Sequence, residues 1–436
     1  MSVQTLTTLD ELDRKLRECG DALQTSDDAM RSVFQGFRMA FALDHPADPF
    51  SEAYRDFQMR LYERIAGRRY EVAHEATAID VADCIAHPFP FLTQSCVTAG
   101  QHFGAIGHLL RSMSLPPGAR ILELGPGWGN TTLALAQLGF EVTAVDVEAR
   151  FCEVIRRRAE RLGVPVRVVN ADFFWVESAA EIFDAVVFFE CFHHCADHLR
   201  LLRAVQRVVG PEGRVYFGAE PVLADYPVPW GLRMDGEALW AIRQFGWLEL
   251  GFSERYFRQA LLRTGWLSRK SVSADLPWVT VWEATRDTGA VRRFEATDPR
   301  LGTATGIKAD GVIRIVGSER GYGMYGPYIP LPPGRYRATV HFAADVPLQG
   351  ELVLDACAAR GHAPLGAAPV DIEVGRASLT FDVGEYLDEV EVRLFCSAGA
   401  CAAVAAVEIE KEGEGAAPNA EALGPAGVNG PQTPFT

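Results

Sequence analysis

The spacing of apolar residues changes character twice along the chain. Over residues 1–70 apolar positions recur at helical spacing among charged ones. The charge alternation around Asp10–Glu18 and the run SEAYRDFQMRLYERIAG (51–67) both read as amphipathic helices, the second stopped by Gly67. HPFPF (87–91) is too rich in proline for a helix interior. A helical period returns over 94–113, and LPPGA (115–119) breaks it.

From 120 to about 285 short apolar runs alternate with helical periods. ARILELG (119–125), EVTAVDV (141–147), VRVVNAD (166–172), FDAVVFFE (183–190) and PEGRVYFGAE (211–220) read as strands. NTTLALAQLG (130–139), ARFCEVIRRRAERLG (149–163) and LRLLRAVQRVVG (199–210) read as the helices between them. Strand–helix alternation of this kind predicts a parallel sheet covered on both faces. After an inserted segment, about 223–250, SERYFRQALLRTG (253–265) reads as a helix, and WLSRKSVSA and WVTVWEA as a closing antiparallel pair.

Beyond about 290 helical periods nearly vanish. GVIRIVGS, YRATVHFAA, GELVLDAC, ASLTFDVG, DEVEVRLFCS and AAVEIEK alternate with period two between Gly/Pro turns, which predicts a β-sandwich of jelly-roll or immunoglobulin-like type. Residues 413–436 are dominated by Gly, Ala and Pro and read as a disordered tail. The division expected is 1–95, helical; 96–287, α/β; 290–412, sandwich; and the tail.

With 436 residues, two or three domains are expected, and 48% apolar residues suffice for their cores. A net charge of −15 works against binding nucleic acid or anionic lipid, so neither is an expected partner. MSVQTLTTLDELDRKL has no basic flank followed by an apolar run, and no stretch reaches the length of a membrane span; a soluble cytoplasmic protein is expected. The nine cysteines form no CxxC pair, so they read as reduced thiols.

The chemistry concentrates where the first strand meets Gly125-Pro126-Gly127-Trp128-Gly129 and a helix begins at Asn130. Glycines let the backbone pass close under a ligand, and a helix N-terminus offers free N–H groups. These features alone also suit a dinucleotide. Three carboxylates separate the readings. Glu123 precedes the loop, Asp146 ends the next strand 21 positions after Gly125, and Asp172 ends the third. Together they repel a pyrophosphate and suit a sulfonium nucleoside.

ELGPGWGN, Asp146, NAD (170–172) and FDAVVFFECFHH resemble the ordered motifs of class I (Rossmann-like) S-adenosylmethionine-dependent methyltransferases, over about residues 85–285. The resemblance implies a doubly wound, mostly parallel seven-stranded sheet and S-adenosyl-L-methionine as cofactor. It places Glu123, Gly125, Pro126, Gly127 and Gly129 around the methionine part, Asp146 at the ribose, Asp172 and Phe173 at adenine, and Val147 and Glu190 beside the cofactor. HPFPFLTQS (87–95) is similar to a segment that covers the cofactor in bacterial sugar and O-antigen methyltransferases. The layout of methyltransferase followed by sandwich resembles proteins of surface-polysaccharide biosynthesis, which implies O-methylation of a sugar or glycan.

The stretch Glu190–His198 borders the transferred methyl in that family. His194 first, His193 second, and Glu190 are the candidates for acid–base work on the acceptor. His193, His194, Asp197 and His198 also offer metal-ligating atoms, but adjacent histidines usually point apart, so no metal is expected. Glu220, Tyr226, Trp230 and Arg233 are the candidate substrate contacts, the last three in a lid formed by the insert. The tyrosines of GYGMYGPYIPLPPGRY (321–336) suit either glycan stacking or a plain turn, and the sandwich either binds glycan or supports assembly, including a homo-oligomer. Two other readings stay open: a small-molecule O- or N-methyltransferase with an accessory domain, and a non-catalytic nucleoside- or glycan-binding protein.

Overall fold

The computed structural model describes residues 3–41, 45–76, 78–89, 95–289, 291–316, 319–371 and 376–413. Most of the FPFLTQS stretch (90–94) and the tail beyond Gly413 lie outside them. The chain divides near residue 287 into two compact units.

In the first unit a short strand β1 (Gln4–Leu6) precedes α1 (Leu9–Leu23) and α2 (Asp27–Phe34), and β2 (Phe37–Met39) returns to pair in parallel with β1. The sequence pattern did not signal this pair. At the start of α1 the Thr8 side chain accepts from the Glu11 amide and Glu11 accepts from the Thr8 amide, a reciprocal cap that satisfies two otherwise orphaned donors. Helix α3 (Glu52–Ala66) is capped by Ser51 and ends at Gly67, whose φ of 71° is the left-handed conformation that only glycine adopts without strain. Helices α4 (Val81–Ala86) and α5 (Cys96–Ser112) follow.

Strand β3 (Arg120–Leu124), α6 (Asn130–Gln137), β4 (Glu141–Asp146), α7 (Ala149–Leu162), β5 (Val166–Asn170), β6 (Phe183–Phe189), α8 (His198–Val205) and β7 (Val209–Gly218) form the alternating stretch. Then come β8 (Val222–Leu223), β9 (Trp230–Leu232), α9 (Gly236–Gln244), β10 (Leu250–Ser253), α10 (Glu254–Arg263), β11 (Trp266–Val272) and β12 (Thr280–Arg286). Seven strands make one sheet in the order β11-β12-β7-β6-β3-β4-β5, parallel from β7 to β5, with β12 antiparallel to β7. Alternate residues of each strand face opposite ways, and two apolar cores result. Leu122, Leu124, Val186, Phe188 and Phe217 enter one; Ile121, Ala185, Val187 and Tyr216 enter the other. That is why these strands are apolar throughout instead of alternating. The chain leaves β3 for β4 on one side, while β6 pairs on the other. A crevice therefore opens at the C-terminal ends of β3 and β6, where ligands bind in open α/β sheets.

Helix α8 ends at Val205, earlier than its period suggests, and β7 begins at Val209. The insert after β7 forms a small sheet, β8-β10-β9, with α9.

The second unit is an all-antiparallel sandwich. One sheet centres on Gly334–Phe342 and Cys401–Gly413, the other on Leu352–Ala358 and Leu387–Cys396. Strand Arg376–Val383 buries every second residue, and a common core draws Ala338, Val340 and Phe381 from one sheet and Leu354, Val392 and Leu394 from the other. Of the tyrosine-rich stretch, Gly321–Met324 and Ile329–Leu331 both pair with Leu387–Cys396.

Candidate active site

At the end of β3 the chain turns under the crevice. The Gly125 amide donates to Val145 O at 2.9 Å, which pins the loop to β4. Gly125 has φ 66°, and a Cβ there would sit 2.8 Å from Cys191 Cβ, so a side chain is excluded both by conformation and by space. Gly127 has φ 51° and a Cβ there would meet nothing within 4 Å; its bare backbone faces open cavity. Beyond it, Asp146 is buried at the end of β4 and accepts from the Gly127 amide at 3.0 Å and the Glu148 amide at 2.8 Å. Burial pushes its carboxyl up to about 6, against these two hydrogen bonds. Asp172 accepts from the Phe174 amide at 2.9 Å, and Phe173 lies beside Gly125.

These groups line one end of a cavity of about 400 Å³. The other end is polar and strongly coupled. Glu220 accepts from the amides of Cys191, Phe192 and His193, and its Oε2 lies 2.8 Å from His193 Nδ1. On the far side of that ring, Nε2 is 3.5 Å from Glu249. Burial opposes a charge on His193, but the hydrogen bonds and charges of Glu220 and Glu249 outweigh it and raise its pKa to about 10. Burial likewise opposes charge on Glu249, yet His193, His194 and Arg233 together hold it down to about 2. His194 goes the other way: burial, then the His193 charge, lowers it to about 4, so it is neutral. Its Nδ1 lies 2.7 Å from Leu248 O and 3.3 Å from Glu75. Glu75 itself is raised to about 8 by burial. Arg233 faces Glu249 at 3.3 Å and pairs with Asp235 at 2.9 Å.

Residues 122–217 match the family model described as a methyltransferase domain. The cofactor of that domain is S-adenosyl-L-methionine, and the residues present fit it: an open glycine cradle, and a buried carboxylate with lone pairs left for two ribose hydroxyls. A ubiquinone biosynthesis O-methyltransferase of Xanthomonas axonopodis pv. citri is 34% identical over 103 residues, 23% of this chain and 43% of that protein. One of Methylocella silvestris is 32% identical over 126 residues, 27% of this chain and 49% of its own. The chain thus spans less than half the length of the curated relatives it matches. Among solved structures, mitomycin 7-O-methyltransferase is similar at 17% identity, with 58% of this chain and 75% of that chain covered and a TM-score of 0.36.

Within and around the methyltransferase domain, Gly125, Pro126, Gly127, Asp146, Val147, Asp172, Phe173, Glu190, His193, His194 and Arg233 line the cavity. Five candidates do not. Glu123 is buried behind the wall, where Thr132 Oγ1 donates to it, and burial raises it to about 7. Gly129 caps α6, and a Cβ there would lie 2.6 Å from Ile155. Glu220 lies beneath His193 and acts on it from behind. Tyr226 donates to Gly231 O and Leu232 O, and Trp230 donates through Nε1 to Pro49 O. These last two brace the insert and do not face an acceptor. Of the other residues weighed as metal ligands, Asp197 pairs with Arg55, and His198 Nε2 lies 2.7 Å from Tyr256.

The polar end of the cavity also draws on residues that no motif marks. Tyr70 and Glu75 come from the helical region, and Glu237, Trp240, Trp247 and Glu249 from the insert. Glu190 carries a signal of its own, a φ of 53° in a non-glycine residue at the end of β6. Its carboxylate lies 3.7 Å from His102.

Proposed function

We propose that the protein is an S-adenosylmethionine-dependent O-methyltransferase acting on a hydroxyl of a small acceptor. The observation that carries this is the single cavity joining the glycine loop and Asp146 to His193, His194 and Glu249. In this reading Asp146 holds the ribose, Val147, Asp172 and Phe173 border the adenine, and Gly125–Gly127 underlie the methionine part. Bound S-adenosylmethionine supplies the activated methyl group. What the chain must add is alignment, exclusion of water and a destination for a proton. The acceptor oxygen forms its O–CH3 bond as the S–CH3 bond breaks, and the hydroxyl proton leaves through the His193–His194 pair. His193 already carries a proton, so neutral His194 is the ring that can receive one.

Two details bear on the acceptor. Trp240 and Trp247 give flat apolar walls, and Glu75, Glu237 and Glu249 give hydrogen-bond acceptors for hydroxyl groups. An acceptor with a planar or ring-shaped apolar face and more than one hydroxyl fits both. A sugar hydroxyl and a phenol are the two classes to compare, the first suggested by the layout of the chain and the second by the flat walls of Trp240 and Trp247.

The test is methyl transfer from labelled S-adenosylmethionine to panels of sugars, nucleotide-sugars and phenols. Turnover on one class is expected, with His194→Ala lowering kcat about 100-fold or more. Full activity in both His193→Ala and His194→Ala would remove the pair from the chemistry.

A further inference from the structure

The acceptor end of the cavity carries a donor set that a single base does not require. His193, His194 and Glu249 each present one nitrogen or oxygen donor, and all three lie within 4.8 Å of one another. Adjacent histidines ordinarily diverge, yet these two rings have centroids 4.2 Å apart at 36°. Each is fixed from behind at Nδ1. Glu220 holds His193 there at 2.8 Å, and Leu248 O holds His194 at 2.7 Å. A carbonyl oxygen only accepts, so Nδ1 of His194 carries the hydrogen and the lone pair of the neutral ring sits on Nε2. On the His193 side, Nε2 is the nitrogen that faces Glu249, at 3.5 Å.

A carboxylate or carbonyl on the remote ring nitrogen is the arrangement that orients metal-bound imidazoles and raises their basicity. Two imidazoles and one carboxylate leaving open positions is a ligand set used for zinc and for non-haem iron. An ion pair of His193 with its two glutamates would explain those three residues. It does not explain why His194 is brought alongside. Two ligands at about 2.1 Å from one ion stand roughly 3–4 Å apart, so small side-chain rotations close this set. Glu220 and Glu249 flank the His193 ring, against the guanidinium of Arg233.

We propose that His193, His194 and Glu249 hold a divalent first-row transition-metal ion at the acceptor end of the cavity, the Nε2 proton of His193 leaving to solvent as the ion enters. Its role, though not its existence, rests on the O-methylation reading. An acceptor hydroxyl filling an open position gives up its proton to solvent more readily, and the oxygen then takes the methyl group as the S–CH3 bond breaks. With the ion bound, the histidine pair acts on the acceptor through it; in the metal-free protein His194 is left as the proton acceptor.

The probe is Co2+, added to chelator-treated full-length protein and followed by visible absorbance and calorimetry. One ion per chain is expected. Glu220→Gln should weaken it about 10–100-fold, through the ring it orients. His194→Ala and Glu249→Gln should weaken it further, each while binding S-adenosylmethionine within about twofold of the parent, the sign that the fold is intact. In the parent protein Co2+ should also produce paramagnetically shifted imidazole N–H resonances from two rings, a readout that needs no variant. Absence of stoichiometric Co2+, absence of those resonances, or unchanged affinity in His194→Ala and Glu249→Gln overturns the site. Co2+ binding without methyl transfer to any acceptor would leave the metal site standing and remove the O-methylation reading instead.

Discussion

Buried carboxylates do different work in this cavity according to what surrounds them. Glu249 is kept ionised by two histidines and an arginine, while Glu123, with a single hydroxyl donor, is raised to about 7. The second case has a measurable consequence. Below about pH 4 both folded and unfolded chains hold that proton; between about 4 and 7 only the folded chain does. The parent protein should therefore lose stability relative to Glu123→Gln as pH rises through this window, by on the order of 3 kcal/mol, with no further change above it. Denaturant unfolding of both proteins at several pH values measures this; a flat difference would show that Glu123 ionises freely in the folded state. Gly125→Ala tests the loop. A methyl group 2.8 Å from Cys191 Cβ at φ 66° should cost about 1–3 kcal/mol of stability and abolish cofactor binding. Unaltered unfolding and binding would mean the turn has room to spare. The loop itself was legible in the sequence because glycine spacing reports backbone conformation directly. The burial of Glu123 was not legible, because a carboxylate two residues before a turn glycine reads the same whether it faces ligand or Thr132.

At the level of elements, strand–helix alternation, the five parallel strands and the sandwich strands are visible in the sequence, since side-chain period follows backbone geometry. The β1–β2 pair is not, because three-residue strands are too short to show a period. The insert is the instructive case. Aromatic and arginine residues over 226–233 drew attention as substrate contacts, but Tyr226 and Trp230 spend their polar atoms on Gly231, Leu232 and Pro49. Arg233 does line the cavity, and the other walls of the insert come from further along, at Trp240, Trp247 and Glu249. Composition cannot distinguish a brace from a wall; only the path of the small β8-β10-β9 sheet does. Tyr226→Phe should thus lower stability by about 1 kcal/mol and leave KM unchanged, whereas Trp247→Ala should raise acceptor KM with little effect on cofactor affinity. Steady-state kinetics on the two variants decides, and a raised KM in Tyr226→Phe would return that residue to the acceptor site.

For the whole molecule, two compact units separate near 287, where period-two strands replace mixed elements. What the sandwich does was not legible, since a well-formed apolar core says only that it folds. Among the described residues, those lining the cavity all lie between Arg31 and Trp278. Leu354→Ala, in the sandwich core, should therefore cost about 2–5 kcal/mol in that unit while the affinity for S-adenosylmethionine stays within about twofold. Among the described residues no helix is long and apolar enough to cross a membrane. The polar end of the cavity depends on parts far apart in the chain, Glu75 before the sheet and Glu249 after most of it, so no local motif could announce it. The cofactor end, by contrast, is built from consecutive strand ends and stands at the centre of the account. Titration calorimetry of S-adenosylmethionine into the full-length protein and into Asp146→Ala tests it most directly. Binding at one site per chain, weakened at least about 100-fold by the substitution, is the result expected; no binding to the parent, or equal binding to both, would contradict it.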